Sequence, residues 1–171
     1  MTSTADGPKG LSYGWLNRPV IENMAKGKFE EHINVAGGED RFWIGPEGGQ
    51  FSIFFKNGTP FDLEHWFTPA PIDTEPFEVV AGSQTDGEVT FKKLIVLENY
   101  SENLFVVEVK RKIQLLKEVL IGPELGIGEK LPEGLKVVSY ESINTLKNLS
   151  TDAWSKERGL LSIWVLGMYN P

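Results

Sequence analysis

Residues 89–97 and 105–116 constrain this chain towards a β-rich fold more tightly than any other feature of its sequence. In the first run, Val89, Phe91, Lys93, Ile95 and Leu97 share one side of an extended strand, and Thr90, Lys92, Leu94 and Val96 the other, because successive side chains in a strand point in opposite directions. Both sides are largely apolar, which predicts a strand covered on two faces. In the second run, Val107, Val109, Arg111, Ile113 and Leu115 alternate with Val106, Glu108, Lys110, Lys112 and Gln114. A helix would also align Val106, Val109, Ile113 and Leu116, but adjacent valines and a near-perfect period of two favour the strand.

The remainder is punctuated by 18 glycines and 10 prolines set between short apolar segments, the pattern of strands joined by turns. Residues 11–16, 51–55 and 135–140 read as further short strands, the second ending at the turn signal Asn57-Gly58. Residues 160–169 form a continuous apolar run, which predicts a central strand buried on both faces. Helix is expected to be scarce: residues 17–29 have room for one turn between Pro19 and Gly27. Alternating strand–helix units are missing, which argues against a doubly wound α/β fold. The expectation is an all-β fold, an antiparallel β-sandwich, with residues 1–171 forming a single domain or the N-terminal part of one. An apolar terminal strand calls for a neighbour on each side, so the chain reads as half of a larger sandwich. Its exposed sheet edge would pair with a second copy or with a missing C-terminal half.

The formal net charge of −7 argues against a nucleic-acid partner, since phosphate binding needs a basic surface. The densest basic stretch, Lys110-Arg111-Lys112, reads as a solvated strand face. Without cysteine, disulfides, thiolate zinc sites and a thiol nucleophile are excluded. No apolar run reaches membrane-spanning length, so no membrane insertion is expected. The first residues carry neither a basic region nor an apolar segment of the signal-peptide kind, which leaves the compartment open between cytoplasm and periplasm. No cofactor fingerprint is present: both phosphate-binding glycine motifs are missing.

Chemistry concentrates in two clusters. Residues 37–50 hold five glycines, the carboxylates Glu39, Asp40 and Glu47, Arg41 and Trp43. Glycine lets the backbone approach a ligand closely, a guanidinium can fork onto a carboxylate or vicinal hydroxyls, and an indole suits the C–H face of a pyranose. Residues 61–76 add Glu64, His65 and Trp66, and a hairpin after residues 51–55 would return them to the first cluster. His32 and His65 are the only histidines; either could join a carboxylate such as Glu64 in proton transfer. The bland reading is equally concrete: Asp40 or Glu39 pairs with Arg41 in a loop, both tryptophans plug the core, and His65 caps a loop. Zinc-type His-Glu-x-x-His spacing is missing, so no metal is expected. No Gly-x-Ser-x-Gly elbow occurs, and a paired-carboxylate glycosidase cannot be read from loop spacing.

The run Gly37-Gly38-Glu39-Asp40-Arg41-Phe42-Trp43-Ile44-Gly45-Pro46-Glu47-Gly48-Gly49-Gln50, with residues 66–71, resembles a bacterial family of the galactose mutarotase-like (aldose 1-epimerase-like) superfamily. The similarity extends to Arg111 and its strand, to Ser142-Ile143-Asn144-Thr145 and to residues 159–168. This resemblance implies a β-supersandwich with a sugar in a concave groove, and longer chains than this one. The epimerase histidine and glutamate motifs do not map onto these residues, so the resemblance implies sugar recognition before catalysis. Glu39, Asp40, Arg41 and Glu47 would then meet hydroxyls while Trp43 or Trp66 stacks on the ring, and alanine at Arg41 would weaken binding without unfolding the protein. The rivals are an epimerase or lyase using His32 or His65 with a carboxylate, and a structural half that assembles through its sheet edge.

Overall fold

The computed structural model describes residues 13–80, 87–117, 122–123, 126, 133–134 and 137–170. Strands dominate: β1 (Arg41–Gly45), β2 (Glu78–Val79), β3 (Glu88–Glu98), β4 (Leu104–Leu115), β5 (Tyr140–Asn148) and β6 (Ser162–Leu166), with helices α1 (Arg18–Ala25) and α2 (Ala70–Asp73). They form two antiparallel sheets, one of order β1-β6 and one of order β2-β3-β4-β5. The mostly β, antiparallel expectation therefore holds.

By its internal contacts the chain divides into two compact units. The first comprises Met1–Pro76, Leu94–Glu108 and Leu146–Pro171; the second comprises Phe77–Lys93 and Val109–Thr145. β3, β4 and β5 each contribute residues to both units.

In the first unit, β1 pairs with β6 in the register Arg41↔Leu166, Trp43↔Trp164 and Gly45↔Ser162. β1 ends where Pro46, reached through a cis peptide bond, offers no N–H to a ladder. The bridges Gly14↔Tyr169 and Leu16↔Gly37 continue antiparallel pairing beyond this sheet, so the expected strand over 11–16 is reduced to isolated bridges, its first two residues lying outside the described part. The core gathers Phe42, Trp43, Ile44, Ile53, Phe54, Ile95, Leu97, Phe105 and Val107.

Four expectations change. Residues 51–55 form no strand, although 52–55 are buried. Ser52 Oγ donates to Glu47 O at 2.7 Å and accepts from Phe54 N at 3.0 Å, while Ser52 N and Ile53 N bond to Gly49 O and Pro46 O. These local bonds take donors that a sheet would need. Residues 17–29 hold two turns of helix: Asn17 Oδ1 caps Val20 N, Pro19 sits in the first turn, where a missing N–H costs nothing, and Gly27 follows at φ 72°. β3 is covered on one side only in its second half, with Leu94 and Val96 61% and 58% exposed while Ile95 and Leu97 are buried. The run 160–169 supplies a five-residue strand in a two-stranded sheet, and Trp164 and Val165 stay exposed. Hydrophobicity alone did not make it a central strand, because burial depends on which neighbours the topology brings.

In the second unit, β2 pairs with β3 as Glu78↔Lys92 and Val79↔Phe91. Arg111 is buried rather than solvated and donates from Nε to Asn144 Oδ1 at 2.7 Å, because the strand period turns it to the same side as Val109. Lys112 pairs with Glu88 at 2.8 Å. The expected strand over 135–140 starts only at Tyr140; residues 135 and 136 lie outside the described part.

Candidate functional site

All of the contacts below lie within the first unit. Arg41 opens β1, and Asp73 closes α2, the short helix that begins at Pro69-Ala70-Pro71. Arg41 Nη2 meets Asp73 Oδ1 at 2.6 Å, and Nη1 donates to Asn34 O at 2.9 Å. The side chains are 13% and 4% exposed. Asn34, itself buried, donates through its backbone N to both Asp73 oxygens and through Nδ2 to Oδ2 at 2.8 Å. A carboxylate removed from water needs such a set of donors. The arginine fork foreseen for a sugar is thus spent on a buried ion pair.

The other expected ligand contacts are also committed internally. Trp43 is 2% exposed; Arg41 stacks over its ring at 4.6 Å, and its Nε1 donates to Glu47 Oε1. Its indole therefore offers no free face for a sugar, a correction to the sequence expectation. Trp66, half-buried, stacks on Phe54 at 5.1 Å, and Phe54 reaches Trp43 at 5.6 Å. Glu39 Oε1 accepts from Gly14 N at 2.8 Å, anchoring the bridged segment before α1. The carboxylate oxygens of Asp40 are shielded from solvent. The two clusters do converge, through the return of Phe67 N to Phe54 O at 2.9 Å, but what they build is mainly core.

The histidines separate. His32 Nδ1 lies 2.7 Å from the Trp66 carbonyl; a carbonyl can only accept, so Nδ1 carries the proton. His32 O receives Thr68 N, and the imidazole stacks on Phe67 at 4.6 Å. His65 sits apart with Asp62, Nδ1 to Oδ1 2.6 Å, and this hydrogen bond holds the exposed Asp62 carboxyl below its ordinary value near 3.8. Glu64 is exposed beside this pair. Among the described residues no group of three His, Asp or Glu side chains could hold a metal ion, and no helix is long and apolar enough to cross a membrane.

Open space lies next to the aromatic cluster instead. A cleft of about 500 Å³ is lined by buried Phe54 and Leu97, by exposed Val96, and by Phe67, Thr68, Pro69 and Pro71. Phe67 is 38% exposed, and its ring stacks on His32. The Thr68 hydroxyl is buried without a hydrogen-bond partner among the described residues. Lys56, Asn57, Glu98 and Glu102 also line it. Glu102 adopts φ 60° in the turn closed by Glu102 N to Asn99 O and Asn99 N to Asn103 O, a left-handed position that usually falls to glycine or asparagine.

Sequence reasoning placed Phe67 and Thr68 near the second cluster but did not select them, and it missed Lys56, Glu98 and Glu102. The available signal was the pair of prolines after Thr68 and the short link between two alternating runs.

One family matches the sequence along residues 1–171, which is the whole chain. The chain belongs to the family of unknown function DUF6786. No curated protein and no solved structure matches it. For this DUF6786 member the geometry of the cleft therefore carries the functional argument.

Proposed function

We propose that the first unit is a carbohydrate-recognition module of mutarotase-like β-sandwich type, and that the sugar occupies the cleft beside Phe67. The observation that carries this reading is the half-exposed Phe67 ring, stacked on His32 and set in a cleft whose rim bears polar side chains. Pyranoses present one apolar C–H face and a periphery of hydroxyls; a fixed aromatic wall with hydrogen-bonding groups around it matches both. The volume is within the range of small-ligand sites. Preorganisation also matters, because a ring already held by its neighbours loses little freedom on binding.

The reading stops at recognition. No histidine is among the residues that line the cleft; His32 is engaged with Trp66 O and His65 with Asp62. Saturation-transfer NMR and calorimetry with glucose, galactose and their methyl glycosides test the proposal. Phe67→Ala is expected to weaken binding about tenfold while the folded circular dichroism spectrum is kept. Failure of every sugar to bind, or unchanged affinity in the folded variant, would remove the cleft from consideration.

A second reading, assembly through a sheet surface, draws on the exposed Trp164 and Val165 of β6. Light scattering separates it from the first: a strictly monomeric folded species counts against assembly.

A further inference from the structure

The charges around the cleft carry the reading one step further, and this step rests on the carbohydrate proposal above. We infer that the cleft selects amino sugars, in their protonated form, over neutral sugars and uronates. Three charged residues line it: Lys56, Glu98 and Glu102. All three are exposed. Among the described residues neither carboxylate has a hydrogen bond or an ion pair, and neither does the ammonium of Lys56. Two carboxylates against one ammonium leave the lining with an excess negative charge, and the chain's net charge of −7 adds a field of the same sign.

The position of the two glutamates supports the same reading. Glu98 ends β3 and Glu102 lies in the turn that follows, so one tight connection delivers both to the cleft. Glu102 does so from a backbone conformation that disfavours any side chain. Phe67 lines the same cleft, and the face of a phenyl ring attracts a cation and not an anion. An ammonium on the sugar would meet carboxylate and ring face together. A uronate would bring a third carboxylate into the same space, with one lysine to meet it.

Calorimetric titration of the full chain with D-glucosamine, D-glucose and D-glucuronate at pH 6 and low salt tests the inference. Glucosamine is expected to bind about fivefold tighter than glucose, with glucuronate weakest, and added salt should compress the differences. The double variant Glu98→Gln, Glu102→Gln should abolish the preference, bringing the affinities of glucosamine and glucose together. Equal or tighter binding of glucuronate overturns the inference, as does a glucosamine preference that survives the double variant. If glucose binds and glucosamine gains nothing, charge selection alone fails; if no sugar binds, the underlying carbohydrate proposal fails with it.

Discussion

Arg41 illustrates how burial reassigns a residue. Its composition-level reading is a ligand fork, but at 13% exposure with Asp73 at 4% it serves the interior. Removing one member of such a pair strands the other charge away from water, at a cost of about 3–5 kcal/mol. Arg41→Ala is therefore expected to lower the urea midpoint sharply, in place of the folded but weakly binding variant that the sequence alone implied. A wild-type midpoint would show that the pair contributes nothing. Lysine at the same position cannot reproduce the two-pronged contact to Asp73 and Asn34 O. The exposed pair Asp62–His65 behaves differently. Because the Asp62 carboxyl is held below its ordinary value near 3.8, it stabilises the folded state above that pH, and the contribution disappears as pH falls through its lowered value. Carbon-13 titration of Asp62 should show its midpoint rise towards 3.8 in His65→Ala, the hydrogen bond being the leading cause of the shift.

Among the elements, the β3–β4 connection is where local preference and observed geometry part most clearly. A side chain at φ 60° costs about 1 kcal/mol relative to glycine, reduced somewhat by glycine's greater freedom in the unfolded chain. Glu102→Gly should thus raise stability by about 0.5–1 kcal/mol, measurable by thermal or chemical denaturation. If Glu102 meets the ligand, the same variant should lose affinity for the sugar that binds best, so stability and binding would move in opposite directions. A destabilised variant would mean that the Glu102 side chain makes compensating contacts. Residues 51–55 show the converse effect: their strand propensity was overridden because Ser52 supplied hydrogen bonds at closer range than any sheet partner.

For the whole molecule, the proposed binding site, lying in one of two compact units, would have an energetic consequence. A ligand at a hundred times its dissociation constant stabilises the state that binds it by about 2.7 kcal/mol, or about 5–10 °C where all 171 residues melt together. Calorimetry with saturating sugar should move a transition by that amount, and hydrogen exchange should slow around residues 53–57, 96–99 and 102, which line the cleft. A melting curve indifferent to every sugar would dissociate the cleft from binding.

Several features needed only the order of amino acids. The antiparallel β-rich class followed from the alternation in 89–97 and 105–116, since a period of two is the geometry of a strand itself. The turn at Asn57-Gly58 was equally readable, with Gly58 at φ 77°, because glycine's tolerance of positive φ is a property of the residue. Partnership was not readable. That Arg41 would find Asp73, 32 positions away, that Trp43 would be sealed, and that Phe67 would stay half-exposed over a cleft depend on which distant segments share space. Side-chain chemistry lists the contacts a residue is able to make; only the folded chain, by deciding which groups lose water together, selects among them.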